Sequence, residues 1–270
     1  MAGGVALNCV GNGVILREGP FEKLWIQPAA GDAGGSLGAA LALWHIDQNN
    51  PRKVDRNDSM QGSYLGPIYS QKEIEEHLDK VGAKYQIFKD EELLDKTATD
   101  LSKEEAIGWF QGRMEFGARA LGNRSILANP RDPQMKSRLN MMIKKREGFR
   151  PFAPIVKESL SSTYFDYTDL VPYMNQVVKV KKEFVDKLPA ITHIDNSARI
   201  QSLDSKDNPR IYSLLTQLEI DNEYPIVINT SFNLKDQTMV LTPEDAIKTF
   251  LDCEMDTLVL GNYIIRKTII

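Results

Sequence analysis

Long apolar runs are missing from this chain of 270 residues, and none approaches the roughly 20 residues needed to cross a bilayer, so no membrane partner is expected. The start, Met1-Ala2-Gly3-Gly4, supplies neither the basic nor the apolar part of a secretory leader. Cysteine is nearly absent. Cys9 and Cys253 lack metal-ligand spacing and sit among apolar residues, which reads as two buried free thiols of a cytoplasmic protein. Internal repeats and low-complexity segments are missing too. What remains is ordinary for a globular protein: 42% hydrophobic and 26% charged, enough for one or two domains with a large core.

The net charge of −4 argues against bulk nucleic-acid binding, as does the lack of aromatics interleaved with basic residues. The charge is unevenly spread, however. Residues 113 to 150 hold ten Lys and Arg against Glu115, Asp132 and Glu147, a local surplus that points to an anionic ligand.

Residues 1 to 47 are rich in Gly and Ala, with a strand expected at Leu24 to Gln27, a glycine loop, and a small-residue helix from about Gly34 to His45. The polar stretch 48 to 63 reads as a linker. Beyond it, amphipathic helices alternate with short β-rich runs. Ser70 with Glu73 forms a capping box ahead of Ile74, Leu78 and Val81, and Gly82 ends that helix. Strands are expected at "KYQIF", "AIGWFQG", "SILA", "PFAPIV", "VVKV", "ARIQSL" and "YPIVINTS". Helices are expected near 90 to 101, from Pro133 to about Lys144, from Arg210 to Ile220, and after Thr242, with "TLVLGNYIIRK" closing the sheet. Such alternation indicates an α/β architecture.

Five segments carry candidate chemistry. "GGVALN" and "AAGDAGG" are glycine turns that fit neither the dinucleotide fingerprint nor the P-loop, and tight packing explains them as simply as a ligand does. Asp32 in the second could cap a helix or bind a metal. "GRMEFGARALGNRS" places Arg113, Arg119 and Arg124 among three glycines, and arginine forks match phosphate and carboxylate oxygens. "KKREGFRPF" ends a basic helix and drives Arg150 into an apolar run. A solvated helix end accounts for Lys145 but not for Arg150, whose desolvation calls for an anion. "INTSFN" ends a buried strand in Asn229, Thr230, Ser231 and Asn233, at the carboxyl end where open α/β sheets bind ligands. His193, in "THIDNSARIQ", has no Ser or Cys nucleophile motif with it and reads as a structural hydrogen-bonder.

Taken together, "GGVALNCVGNGVILREGPFEKLWIQPAAGDAGGSLGAAL", "FQGRMEFGARALGNRSILANPRD", "KKREGFRPFAPIV", "ARIQ" and "INTSFN" with "TPEDAIKTF" resemble the C-terminal half of NodU/CmcH-type O-carbamoyltransferases. The resemblance implies a YrdC-like twisted open mixed sheet with flanking helices over 64 to 270, preceded by a remnant, 1 to 47, of a domain with the actin-like ATPase fold. It implies that carbamoyl phosphate and ATP, with Mg2+, form carbamoyl adenylate for transfer to a hydroxylated small-molecule or sugar acceptor. It places carbamoyl-phosphate and nucleotide contacts on Arg119, Lys144, Arg150, Arg199, Asn229 and Ser231. Nucleotide contacts would also fall on Gly3, Gly4 and Asn8, with Asp32 as a metal ligand. The family's His-x-x-x-His pair, which would hold a divalent metal such as iron, is not formed by His45, His77 and His193. A complete metal site and acceptor site are therefore expected in a separate N-terminal half. Alternative readings are a YrdC-type threonylcarbamoyl-adenylate synthase serving tRNA, and a non-catalytic RNA binder.

Overall fold

The computed structural model describes residues 1–54, 58–221 and 224–267. Its ten strands, in chain order, are β1 (Gln86–Ile87), β2 (Ile107–Phe110), β3 (Arg124–Ala128), β4 (Ala153–Lys157), β5 (Val177–Lys179), β6 (Ser197–Arg199), β7 (Gln201–Leu203), β8 (Ile226–Ser231), β9 (Thr257–Leu260) and β10 (Tyr263–Arg266). The α-helices are α1 (Cys9–Glu18), α2 (Ala33–Ala42), α3 (Gln71–Lys80), α4 (Asp90–Ser102), α5 (Met135–Arg138), α6 (Glu158–Tyr164), α7 (Pro209–Ile220) and α8 (Pro243–Leu251). Eight strands form one mixed sheet in the order β1-β10-β9-β2-β3-β8-β4-β7, and β5 pairs β6 in a separate ribbon.

Alternation along the strands divides the core in two. Phe110, Ile126, Val156, Ile228 and Leu258 face one side, where α3, α8 and residues 135–143 cover them through Ile74, Phe250 and Leu139. Trp109, Leu127, Ile155, Val227 and Val259 face the other, covered by α4 and α7 through Leu101 and Leu214. Burial on both faces is why β2, β3 and β9 read as short continuous apolar runs. The helix signals behave as local chemistry predicts. Both oxygens of the reciprocal cap are in place at Ser70 with Glu73 and at Thr242 with Asp245, and Asn208 caps α7 ahead of Pro209.

Several expectations change. Leu24 to Gln27 form no strand, although Ile26 is buried in a small cluster with Ala6 and Ala30. "KYQIF" contributes only the two residues of β1. "ARIQSL" is two strands, because Ile200 is the point where the chain leaves the ribbon for the main sheet. The basic helix is α-helical for one turn and then widens into a π-turn, Leu139–Ile143. Helices α1 and α6 are additions. Helix α1 carries no core-facing apolar stripe in its sequence, because Val10 and Val14 are exposed and Ile15 and Leu16 only half-buried, while buried Asn12 and Gly13 face its neighbour.

That neighbour is β5. Arg17 Nη1 donates to Val177 O at 3.0 Å, and Asn12 Nδ2 donates to Asn175 O at 2.9 Å. A Cβ at Gly13 would stand 2.6 Å from Val177 O, so only glycine lets the helix come this close. Helix α2, by contrast, buries nothing, and Leu41 within it and Leu43, Trp44 and Ile46 just after it stay exposed.

Candidate functional site

Strand β8 is buried from Ile226 to Asn229 and only half-buried at Thr230 and Ser231, so the sheet opens where it ends. Four other segments converge there: residues 118–120, the turn carrying Arg146 and Arg150, the start of β4, and Arg199 at the end of β6. They enclose a cavity of about 290 Å³ whose polar lining includes Arg119, Arg146, Arg150, Arg199, Asn229 and Ser231, with no carboxylate among its lining residues. Arg146 and Arg150 also face an adjoining cavity of about 270 Å³, which Lys144, Ser231, Asn233 and Lys235 line together with Glu147 and Asp236.

Cations packed this way destabilise one another. Burial first, and then the neighbouring Arg119, lowers the Arg199 guanidinium to about 10, while Cys9 on α1 opposes the shift. Its Nε is buried with no partner. Arg146 is lowered by burial and by Arg150, with Glu147 opposing, and its Nε donates to Asn140 Oδ1 at 2.7 Å. Arg119 Nη2 donates to Leu7 O at 3.3 Å, so residues of the N-terminal segment touch two of the four arginines. Arg150, expected from the sequence to be desolvated, is instead exposed and already pairs Glu147 at 3.0 Å, because the turn before β4 keeps its side chain at the surface.

Lys144 is the most constrained of the group. The π-turn ends in Lys144 N donating to Leu139 O, which sets the side chain at the end of β8. There Nζ contacts Ser231 O at 2.7 Å, Ser231 Oγ at 3.2 Å, Asn233 O at 2.9 Å and Asn233 Oδ1 at 2.6 Å. All four are neutral, and burial, then Arg146, brings the ammonium down to about 7.

Asn229 has a different deficit. Its Nδ2 donates to Ala120 O and to Gln201 Oε1, both at 3.0 Å. Gln201 in turn donates its Nε2 to Leu121 O at 3.0 Å, which leaves Oε1 as the group facing Asn229 and fixes the orientation of both amides. Asn229 Oδ1 is then a buried acceptor without a donor.

The structure thus brings Arg119, Arg150, Arg199, Asn229 and Ser231 to one cavity and Lys144 to its neighbour. Arg146 joins both and went unremarked in the sequence, where it looks like any charge at a basic helix end. Lys145 is exposed, with Nζ 3.2 Å from Asp252 O. Gly3, Gly4 and Asn8 line neither cavity. Gly3 and Gly4 are exposed, and Asn8 caps α1 by accepting from Gly11 N at 3.0 Å. Asp32 is exposed and makes no side-chain cap bond, and among the described residues no group of three or more His, Cys, Asp or Glu is gathered for a metal. Asp32 is thus a single carboxylate outside any such group among the described residues. The three-arginine loop is also split. Arg113 bonds Gly66 O, and Arg124 is fully buried away from the cavity.

Sequence comparison sets this geometry in a family. Residues 98–267 match the carbamoyltransferase C-terminus, and residues 1–41 match the carbamoyltransferase N-terminus. The chain belongs to the carbamoyltransferase family. It is 41% identical over 272 residues to nodulation protein NolNO of Sinorhizobium fredii, covering 99% of this chain and 39% of that protein. Against nodulation protein NolO of Bradyrhizobium diazoefficiens the identity is 40% over 271 residues, covering 99% and 49%. An uncharacterised Synechocystis protein is 49% identical over 290 residues, covering 99% and 47%. The chain thus spans half or less of the length of these relatives. Full-length HypF in its phosphate- and nucleotide-bound form aligns with 64% of this chain and 25% of that one, at 18% identity and a TM-score of 0.46, too distant to carry an argument. No helix among the described residues is long and apolar enough to cross a membrane.

Proposed function

We propose that the paired cavities bind carbamoyl phosphate and ATP, with Mg2+ arriving on the nucleotide, and form carbamoyl adenylate for transfer to a hydroxyl acceptor. The observation that carries this reading is the pairing of a carboxylate-free arginine cluster with the donor-less Oδ1 of Asn229. Phosphate oxygens suit the guanidinium groups, and an –NH2 group suits the amide oxygen. Carbamoyl phosphate offers both in one small molecule, with three bonds between the nitrogen and the phosphorus. In this reading Arg119 and Arg199 hold its phosphate, while Arg146, Arg150 and Lys144 receive the phosphates of ATP. Water attacks the phosphorus of carbamoyl phosphate, the bond from phosphorus to the carbamoyl oxygen breaks and inorganic phosphate leaves. The carbamate oxygen so released attacks the α-phosphorus of ATP as pyrophosphate departs. The cations act by stabilising charge that is gathered there in advance of the reaction.

The acceptor, and a further half holding a divalent metal, remain part of this proposal. The relatives' extra length leaves room for them. The test is carbamoyl-phosphate-dependent release of pyrophosphate, measured with an N-terminal half supplied where the chain alone is silent. Arg150→Ala is expected to lose about 1.5–3 kcal/mol of transition-state stabilisation, the scale of a hydrogen bond to a charged group, because its guanidinium is half-exposed. Lys145→Ala, on the exposed side of the same turn, should stay within about 0.5 kcal/mol. Equal losses at both positions would mean a diffuse basic surface and would sink the reading.

A further inference from the structure

A larger cavity, about 540 Å³, lies between α1, the β5–β6 ribbon and the segment entering β4, sharing only Pro151 with the arginine cavity. Its size and mixed lining are those of a small-molecule site, mostly apolar with a few polar groups. Three of its apolar residues are left open to solvent: Val10 at 57%, Phe149 at 76% and Ile194 at 106% exposure. Open side chains gathered round a concavity call for an occupant.

The polar lining says what kind. Lys179 is committed to Asp195, donating to its carbonyl oxygen at 2.7 Å and standing 3.6 Å from its carboxylate. Arg17 already donates to Val177 O. Lys136 is half-buried, and its ammonium has no hydrogen bond or ion pair with the described residues. Beside it stands His193, whose proton inventory can be worked out. Ser197 Oγ donates its single proton to Asp195 Oδ1 at 2.6 Å, because a carboxylate only accepts. At 3.3 Å from His193 Nδ1 the same oxygen must then accept, so Nδ1 bears hydrogen and Nε2 does not. Nε2 is buried without a partner. On protonation it becomes a second donor next to the uncommitted ammonium of Lys136.

We propose that this cavity binds a small amphiphilic anion. Its carboxylate or phosphate head sits on Lys136 and protonated His193, and its apolar body lies against Val10, Phe149, Val178 and Ile194. The site is separate from the arginine cavity and does not depend on the function assigned there. His193 fits the role: burial first, then Lys136 and Arg199, holds its pKa below the usual value, with Asp195 opposing, and a bound anion reverses that repulsion.

Octanoate, octyl phosphate and octanol, titrated calorimetrically into the full chain, test the proposal. Both anions should bind at least about tenfold more tightly than octanol, and the ratio between them identifies the preferred head. Octanoate affinity should rise from pH 8 to pH 6 as His193 protonates, and the other charged groups facing His193 are Asp195, Lys136, Lys179, Arg17 and Arg199. His193→Gln should weaken binding about tenfold and abolish the pH dependence. Lys136→Met, on a different element from the 193–197 turn, should weaken it comparably and keep the pH dependence. Inorganic phosphate should not compete. Equal binding of octanol overturns the proposal, as does displacement by inorganic phosphate. So does an absence of binding with self-association at these residues, which would make the face a protein interface.

Discussion

Arg124 and the cavity arginines, of which Arg119 lies only five residues away in the chain, form two sets that are treated in opposite ways. Arg124 is fully buried, yet its guanidinium donates to the carbonyls of Gln111 at 2.6 Å, Asn123 at 3.0 Å and Gly112 at 3.2 Å, and stacks 3.5 Å over the Phe110 ring. Glu115 completes that loop from within, one oxygen accepting from Leu121 N and Asn123 N at 2.7 Å. Around the cavity, Arg119, Arg146 and Arg199 are held near one another with few acceptors and no carboxylate in the lining. Arg124 and Arg199 each leave Nε buried without a partner, but a buried cation whose Nη1 and Nη2 are both held by fixed carbonyls is part of the fold. One pressed against other cations, with donors unmet, is waiting for an anion.

The widest separation between the two sets should appear in stability. Arg124→Ala removes the organiser of several carbonyls and leaves Glu115 buried without a neighbouring cation. It should cost about 3–5 kcal/mol in denaturant unfolding, as breaking a buried charged network does. Arg199→Ala should leave the unfolding midpoint at or above that of the parent, because it relieves repulsion with Arg119. A large destabilisation at Arg199 would erase the distinction.

Ligand binding should show the reverse ranking. Arg199→Ala should weaken carbamoyl phosphate by about 2–4 kcal/mol in calorimetry. If binding persists, Arg199 is structural and the cavity has been misassigned.

A smaller effect separates Lys144 from both sets. Its ordinary value of 10.5 falls to about 7 in the folded chain. Between those values the unfolded chain binds a proton that the native state lacks, so this group makes stability rise with pH from about 7 to about 10.5, and its full penalty applies below 7. A phosphate nearby pushes the pKa back up. ATP binding at pH 8 should therefore take up close to one proton through Lys144, read as a dependence of the heat on buffer ionisation enthalpy. Lys144→Met should abolish that dependence, and no difference between the two proteins would show that Lys144 stays outside the charge balance of the site.

These contrasts explain what could be read from the residues alone. Capping boxes at Ser70 and Thr242, the helix after Asn208 and the buried run of β8 are encoded within a few neighbours, and each formed where its pattern lay. The cavity loops were visible because glycines and arginines cluster in them. Which arginine serves which purpose was not visible, since Arg119 and Arg124 carry the same local pattern. Only contacts with Leu7, Gln111 and Pro67, distant in the chain, sort them. Leu24 to Gln27 failed for a related reason. Apolar character there serves a small three-residue cluster, and no strand pairs with it among the described residues. Arg146 was hidden by a helix that widens into a π-turn, which shifts the direction of every side chain after Leu139.

The most direct test of the central claim is a calorimetric comparison of carbamoyl phosphate with acetyl phosphate, which keeps the phosphate and replaces the –NH2 with a methyl group. Asn229 Oδ1, fixed as an acceptor by its own two donated bonds, should favour the carbamoyl compound by at least about 1.4 kcal/mol, a factor of ten, and Asn229→Ala should bring the two affinities together. Equal affinities for the two phosphates in the parent chain would contradict the account, leaving an anion site without a carbamoyl site.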